Sequence, residues 1–150
     1  MVEKRDNNGN LLFRLGEKGK NSPRQSGDIF NLPTDAVVDP DNGDIYISDG
    51  YGNSRIHKFN SDGEHILSWG EPGSDPGKFS LPHNIALTTD KRILVADREN
   101  FRLQIFDCDG YFIDQWHVHH PMSVTTDSDD NIFVGAVSYT HLTLPTKRIV

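Results

Sequence analysis

The sequence predicts an all-β protein, a partial β-propeller built from four-stranded antiparallel blades. Two segments contain the same types of residue in the same order. Phe30 lies 49 residues before its counterpart Phe79, and Arg55 lies 47 residues before its counterpart Arg102. This period is typical of propeller blades. Each segment contains four short apolar runs separated by turn residues. The composition is polar, with 35% hydrophobic residues, 13 Gly and 8 Pro, as expected of strands that bury one face between solvated turns.

The first complete repeat shows the four expected strands most clearly. They are predicted at residues 36–38, 45–48, 55–59 and 65–69. Turn sequences ending in Gly43 and Gly63 precede the second and fourth strands, because glycine tolerates the positive φ of tight turns. Strands joined in this way form an antiparallel meander. A β-sandwich also uses short strands at this spacing, but sandwiches seldom repeat their sequence so faithfully, which favours the propeller.

Residues that recur in each repeat are expected to have structural roles. The aromatic residues that open the repeats should pack between blades, and the aspartates should accept hydrogen bonds at turns. The arginines should either pair with carboxylates or extend over a neighbouring blade. These residues are Phe30 and Phe79, Asp49 and Asp97, and Arg55 and Arg102. Function is therefore sought where the repeats differ.

Incomplete repeats flank the two complete ones. The predicted divisions are a blade end at residues 1–16, blades at 30–70 and 79–116, and a partial blade at 118–136. Residues 11–16, LLFRLG, are interpreted as a fourth strand whose partners are absent. Because a ring closes with about four to eight blades, we expect a fragment that is inactive and melts without cooperativity. Residues 137–150 do not match the repeat and are interpreted as a non-native tail, so His141 is left out of functional reasoning.

The charge and the single cysteine exclude several functional classes. The net charge is −7, which disfavours a nucleic-acid partner because phosphates require basic surfaces. No apolar run is long enough to cross a membrane, and the first ten residues do not form a signal peptide. Cys108 lies between Asp107 and Asp109, and these acidic neighbours disfavour a reactive thiolate.

Three differences between the repeats point to a site at one mouth of the propeller channel. His83 replaces Thr34 before a first strand, and Tyr51 and Arg98 follow the second strands of adjacent blades. A neutral His is a zinc ligand, a Tyr near a metal can act as a base, and an Arg binds a carboxylate through two hydrogen bonds. Each residue also has a structural alternative: a bonded framework His, a packed Tyr and a surface ion pair.

A second group of histidines, His117, His119 and His120, precedes Pro121. A clustered triple can bind metal. Strand alternation, however, places His117 and His119 on one face with His120 pointing away. We therefore favour an ordinary structural role for these residues.

Four segments carry a family resemblance: FNLPTDAVVDP, ISDGYGNSRI, WGEPGSDPGKFSLPHNIAL and VADRENFRLQIF. They resemble NHL-repeat propellers and, more specifically, the lyase domain of peptidylglycine α-amidating enzymes. The resemblance implies a six-bladed ring with a channel zinc ion held by three histidines, which cleaves peptidyl-α-hydroxyglycine to peptide amide and glyoxylate. It implies that His83 is a zinc ligand, Tyr51 the catalytic base and Arg98 an active-site arginine. Structural Ca²⁺ is a further expected cofactor.

The sequence also departs from that family. His83 matches only one of the three zinc-binding histidines, and Met122 occupies its position in the next repeat. The family's animal members have two bridging cysteine pairs in this region. Here the corresponding residues are Asn31 with Gly52 and Leu94 with Ile105. This substitution of both members of each pair suggests a homologue without the bridges.

Three functions compete at this stage. The first is the zinc-dependent lyase, acting on a peptide or small molecule with a C-terminal α-hydroxyglycine. The second is a non-catalytic propeller that binds a protein or small ligand. The third, an RNA-binding module, is disfavoured by the charge of −7. The family resemblance favours a secreted or periplasmic location.

Overall fold

The computed structural model describes residues 1–137, which form twelve strands and one turn of 3₁₀ helix. The interpretation of residues 138–150 as part of a non-native tail lies outside the described residues. The strands are β1 (Val2–Arg5), β2 (Leu11–Leu15), β3 (Pro33–Val38), β4 (Ile45–Asp49), β5 (Arg55–Phe59), β6 (His65–Trp69), β7 (Pro82–Leu87), β8 (Ile93–Asp97), β9 (Arg102–Phe106), β10 (Phe112–His117), β11 (Pro121–Thr126) and β12 (Ile132–Ala136). The 3₁₀ turn is Arg98–Asn100.

The strands form four antiparallel sheets, which we number as blades in chain order. Blade 1 is β1–β2, blade 2 is β3–β6, blade 3 is β7–β10, and blade 4 is β11–β12. Blades 2 and 3 are four-stranded meanders, and their first strands, β3 and β7, contact each other, as do β7 and β11. The first strand of each blade is therefore innermost. The predicted partial β-propeller is confirmed, and the described blades do not close into a ring.

Apolar cores lie between successive blades. Phe79 is fully buried between blades 2 and 3, where it packs with Tyr46 and Ile56 on one side and Val95 and Phe106 on the other. Phe30 occupies the equivalent position between blades 1 and 2. The predicted packing of both aromatic residues between blades is confirmed. Burial of such side chains, about 1.5–3 kcal/mol each, is the main force that stacks the blades.

The expectation that LLFRLG has no partner strand was wrong. β1, with the sequence VEKR, pairs antiparallel with β2, and Val2 lies opposite Leu15. The turn between them repeats those of blades 2 and 3, because Asp6 accepts backbone N–H groups as Asn60 and Asp107 do. Sequence reasoning missed β1 because three of its four residues are charged. In the described residues, no helix is long and apolar enough to cross a membrane.

Candidate functional site

A repeated backbone feature directs three side chains at the start of the innermost strands. A register shift, or β-bulge, lies between the first and third residues of each of these strands. The residue before each strand has a left-handed φ of +63°, +65° or +41°, which is uncommon outside glycine. These residues are Leu32, Leu81 and His120. Bulges redirect side chains, and the residues within them are Thr34, His83 and Met122, the position at which the repeats differ.

A hydrogen bond fixes the tautomer of His83. Its Nδ1 lies 2.7 Å from the backbone carbonyl oxygen of Met122 in the next blade. Because a carbonyl oxygen only accepts, Nδ1 carries the proton. In the neutral ring, Nε2 therefore has an available lone pair, the state in which an imidazole binds a metal. The equivalent Thr34 also reaches the next blade, donating to the Pro82 carbonyl at 2.9 Å.

Tyr51 contacts His83 directly. Its hydroxyl oxygen is 3.1 Å from His83 Nε2, and the two rings meet edge to face at a centroid distance of 5.7 Å. With Nδ1 protonated, the hydroxyl is the donor and Nε2 the acceptor. Half of Tyr51 is exposed, so solvent or a ligand can reach the pair. The structure thus brings together two of the three predicted site residues.

The glycines beside Tyr51 are required by close packing. A Cβ added to Gly50 would lie 2.1 Å from the Pro82 carbonyl oxygen, and one added to Gly52 would lie 2.0 Å from Asn31 Oδ1. Neither glycine has a positive φ. A side chain at Gly50 would therefore push blade 2 away from blade 3, and one at Gly52 would displace Asn31 at the start of blade 2. That close approach is what places Tyr51 beside His83.

Arg98 lies at the same end of blade 3 as His83. Its backbone N–H donates to the Leu81 carbonyl at 3.2 Å, two residues before His83. Its guanidinium Nε forms an ion pair with Glu99 at 3.1 Å. The cleft beside Tyr51, about 430 Å³, is lined by Glu99 and Asn100 and not by Arg98. Arg98 thus makes an ion pair with Glu99, the structural role that the sequence analysis gave as the alternative to binding a carboxylate ligand.

The buried aspartates have the predicted structural role. Asp97 accepts hydrogen bonds from the Ser80 backbone and from Arg102. Asp49 instead accepts from the Asn31 backbone and from Asn53, with His57 Nε2 3.2 Å away. Arg55 departs from its expected pairing with a carboxylate and donates to the Gly70 carbonyl at 2.6 Å.

Fully buried His57 is held by Ser68 as well as Asp49, which makes it part of the framework. It occupies the position of Gln104 in blade 3, whose amide donates to Asp97 at 3.1 Å. Sequence alignment of the repeats could have identified this equivalence.

The second histidine group is arranged differently from the prediction. The rings of His119 and His120 contact each other at a centroid distance of 4.9 Å, and both pack against Phe101. The expectation that His120 points away was wrong, because β10 ends at His117 and strand alternation no longer applies beyond it. Within residues 1–137, no three His, Cys, Asp or Glu side chains are grouped to hold a metal ion.

Comparison with known proteins identifies the repeat. The family model described as NHL repeat matches residues 30–59 and 79–106, which contain the first three strands of blades 2 and 3. The chain carries NHL repeats. The second match includes Leu81, the left-handed residue, and the start of the innermost strand at Pro82. His83 therefore lies within a matched repeat.

Several curated proteins are similar to this chain in sequence. The chain is 42% identical over 113 residues to peptidyl-glycine alpha-amidating monooxygenase of Mus musculus, covering 72% of the chain and 11% of that protein. It is 39% identical over 119 residues to NHL repeat-containing protein 3 of Homo sapiens, covering 77% and 34%. It is 39% identical over 102 residues to peptidyl-alpha-hydroxyglycine alpha-amidating lyase 1 of Drosophila melanogaster, covering 61% and 19%. The chain thus spans about a tenth to a third of these relatives.

Solved structures with low sequence identity share the fold. Kuenenia stuttgartiensis hydrazine synthase matches with a TM-score of 0.61 at 15% identity, over 81% of this chain and 32% of that chain. A streptogramin B lyase matches with a TM-score of 0.59 at 19% identity, over 87% and 39%. These matches show similarity of fold alone.

The positions that correspond to the family's cysteine pairs are adjacent in space. The Gly52 N–H donates to the Asn31 carbonyl at 2.9 Å. Leu94 and Ile105 lie directly opposite each other on β8 and β9. The chain thus keeps the spatial neighbours and has other residues in place of the cysteines.

Proposed function

We propose that this chain forms part of the channel wall of a zinc-dependent carbon–nitrogen lyase. The substrate class is a peptide ending in α-hydroxyglycine, and the products are a peptide amide and glyoxylate. The observation that carries this proposal is the contact between Tyr51 and His83 at the channel end of two adjacent blades, 3.1 Å apart. The similarity to amidating lyases from animals supports the same reaction class.

His83 is suited to hold one side of a zinc ion. Its protonated Nδ1 is anchored to the Met122 carbonyl, which orients the ring and leaves Nε2 as the ligand atom, an arrangement common among metal-binding histidines. Zinc bound there would supply a Lewis acid and lower the pKa of a coordinated hydroxyl. Residues 1–137 contain no group of three side chains that could hold a metal ion. The other ligands are therefore proposed to come from outside this range.

The same Nε2 lone pair cannot serve a metal and the Tyr51 hydroxyl together. Metal binding at His83 would therefore release the Tyr51 hydroxyl, which lies within one hydrogen bond of that position. With its own proton lost to solvent, Tyr51 takes the proton from the substrate hydroxyl as the phenolate. The C–N bond breaks as the aldehyde C=O of glyoxylate forms, and Tyr51 returns that proton to the amide nitrogen. Arg98 is proposed to exchange its Glu99 partner for the substrate carboxylate.

The test measures glyoxylate release from a model α-hydroxyglycine peptide, using a longer reading frame that contains this chain and is supplied with Zn²⁺. His83→Ala should reduce the bound zinc and abolish glyoxylate release. Tyr51→Phe should lower kcat by about 10²–10⁴-fold, the usual contribution of a general base, with little change in KM. Tyr111→Phe removes a phenol hydroxyl at an exposed position outside the site and should leave kcat unchanged.

Two results would contradict the proposal. A protein that binds zinc and yields no glyoxylate is not this lyase. A Tyr51→Phe variant with unchanged kcat would remove Tyr51 from the chemistry, even if zinc binding still depended on His83.

A non-catalytic NHL propeller that binds a protein or small ligand is the second candidate. It is favoured by the 39% identity to NHL repeat-containing protein 3, whose name records repeats and no activity. It is also favoured by the Arg98–Glu99 ion pair, which occupies the guanidinium. A wild-type protein that binds the peptide in the presence of Zn²⁺ and releases no glyoxylate distinguishes this candidate from the lyase.

A further inference from the structure

Arg55 and Arg102 occupy the same position in adjacent blades but differ in their hydrogen bonds. Each begins the third strand of its blade, opposite the buried aspartate that ends the second strand. Every nitrogen of the Arg102 guanidinium donates a hydrogen bond. Within residues 1–137, the Arg55 guanidinium donates one, from Nη1 to the Gly70 carbonyl, and its buried Nε has no partner. The edge of the Arg55 guanidinium formed by Nε and Nη2 is therefore without an acceptor.

The difference arises on the fourth strand and in the connection that precedes each blade. Arg102 donates to Gln115 on β10 and to backbone carbonyls of residues 74–78. The counterpart of Gln115 on β6 is Ser68, whose shorter side chain bonds to two histidines instead. Both β6 and the connection before blade 2 are complete in the described chain. The acceptors are therefore absent because of the residues in these segments.

Arg55 lines a groove that runs to Tyr51. A pocket of about 230 Å³ beside Arg55 lies between the segments 25–27 and 70–72. Three of its lining residues also line the cleft of about 430 Å³ beside Tyr51. These shared residues are Gln25, Ser54 and Pro72. The two spaces therefore form one groove, with Arg55 towards one end and Tyr51 towards the other.

A glycine lies against the unpaired edge of the guanidinium. A Cβ built on Gly27 would lie 3.3 Å from Arg55 Nε and 3.6 Å from Arg55 Nη2, the two nitrogens without an acceptor. Gly27 has a φ of +80°, which glycine adopts at no steric cost. Because Nε has no contact with solvent, an acceptor reaches it when this turn moves slightly outward. Leaving a buried donor unpaired is costly, so an acceptor that completes the edge is favoured there.

The charges along the groove favour an anionic ligand. Arg24 also lines it, and within the described part of the chain its side chain has no hydrogen bond or ion pair. The carboxylates on the groove are already paired, because Glu71 binds Lys78 at 3.2 Å and Glu99 binds the arginine before it at 3.1 Å. Two arginines, Arg24 and Arg55, are thus left without a carboxylate, although the net charge of the chain is −7. A guanidinium prefers a carboxylate as its partner.

We propose that this groove binds an acidic side chain of the peptide substrate, an aspartate or glutamate that precedes the reacting α-hydroxyglycine. The inference rests on the proposed function, which puts the C-terminal residue of the peptide beside Tyr51. The ligand carboxylate accepts from Arg55 Nε and Nη2, one oxygen on each, in the parallel pair that arginine forms with carboxylates. Arg24 supplies a second positive charge to the same groove. Arg55 is thus a specificity-determining residue.

Chain geometry limits the position of the acidic residue in the peptide. Tyr51 and Arg55 are four residues apart in the sequence, and a stretch of that length spans at most about 14 Å. A peptide extended along the groove covers the same distance with about four residues. The acidic residue is therefore expected within about four positions of the reacting one.

The first experiment measures peptide binding by fluorescence anisotropy, with a longer reading frame that contains this chain. The probes are fluorescein-labelled peptides that end in glycine and so lack the hydroxyl needed for cleavage. A single glutamate is placed in turn at each of the four positions before that glycine, and each peptide has a matched glutamine version. At one position glutamate should lower Kd about tenfold relative to glutamine, as expected for one hydrogen-bonded charge pair. Equal Kd values at all four positions would overturn the proposal.

The second experiment repeats the comparison in variants. Arg55→Gln should bring the ratio of the two Kd values to about one, and Arg55→Lys should restore part of it, because lysine keeps the charge but not the fork. A purely structural Arg55 would change both Kd values equally, and an unchanged ratio would overturn the proposal. Arg24→Gln removes a side chain without hydrogen bonds in the described chain and should also lower the ratio; no change there would exclude its charge from the site. Arg92→Gln, at an ion pair with Asp90 outside the groove, is the control and should keep the wild-type ratio.

Glyoxylate release separates this inference from the proposed function. A protein that prefers glutamate peptides and releases no glyoxylate would contradict the lyase and leave the acidic-residue site intact. A protein that releases glyoxylate with equal kcat/KM from glutamate and glutamine versions of an α-hydroxyglycine peptide would contradict this site and leave the lyase intact.

Discussion

Replacing Arg102 with leucine should destabilise the chain more than the same replacement of Arg55, its equivalent in blade 2. The Arg102 guanidinium donates to Asp97 at 2.8 Å, to a glutamine side chain of β10 and to three backbone carbonyls of the β6–β7 connection. Arg55 donates to the carbonyl of Gly70. One arginine therefore holds a buried carboxylate and a loop, and the other holds a single carbonyl.

The expected magnitudes follow from these partners. The Asp97 side chain is fully buried and that of Arg102 is 9% exposed. Removing one member of a buried ion pair costs about 3–5 kcal/mol, because the remaining charge is uncompensated. Losing one hydrogen bond to a charged group costs about 1.5–3 kcal/mol, which is the expected loss for Arg55→Leu. With a urea m-value of about 1–3 kcal/mol/M, the two midpoints should differ by about 1 M.

The pH dependence gives a second, independent measurement. Burial raises the pKa of Asp97 above its ordinary value of 3.8, although hydrogen bonds from Asn100, the Ser80 backbone and Arg102 oppose the rise. The folded state thus loses stability as the pH rises from 3.8 through the folded pKa, and the loss is complete above that pKa. Without Arg102 the folded pKa should rise further. The difference in unfolding free energy between wild type and Arg102→Leu should therefore shrink as the pH falls from 7 towards 4.

The assay is urea unfolding followed by circular dichroism at fixed protein concentration, at several pH values between 4 and about 7. The Arg55→Leu variant is the matched control and should show a difference from wild type that changes little with pH. Equal losses for the two variants, or an Arg102→Leu difference that grows in acid, would refute the assignment of Asp97 as the buried charge that Arg102 compensates.

Three further substitutions test other contacts, each by urea unfolding. Gly50→Ala introduces a Cβ that clashes with the Pro82 carbonyl oxygen and should cost about 1–3 kcal/mol; unchanged stability would mean that the blades do not approach so closely. Phe79→Ala should cost about 3–5 kcal/mol by leaving a cavity between two blades, and a loss below 1 kcal/mol would contradict its burial. Burial raises the pKa of Asp39, but the Lys91 hydrogen bond, the Lys91 charge and backbone hydrogen bonds together outweigh it and hold that pKa below 3.8. Lys91→Met should therefore cost up to about 1 kcal/mol at neutral pH, an effect that disappears in acid, below the folded pKa; a loss independent of pH would exclude the ion pair.

The accuracy of the strand predictions depended on how regular each strand is. Strands β5 and β6 were predicted with both bounds correct, at residues 55–59 and 65–69. The first strand was predicted from residue 36 and begins at Pro33, because a bulge interrupts its alternation. The charged β1 was missed altogether. Regular alternation can be read from a sequence, whereas bulges and charged edge strands have no such periodicity.

The sequence by itself determined the repeat, the four-stranded blade and the aromatic residues between blades, because these depend on spacing along the chain. Tertiary structure decided that Tyr51 bonds to His83, which lies 32 residues away on another blade, and that His83 keeps its proton on the nitrogen facing Met122. It also decided that Arg98 pairs with Glu99. These contacts arise from the close approach of two blades and from backbone bulges that aim side chains, and neither is a property of neighbours in sequence.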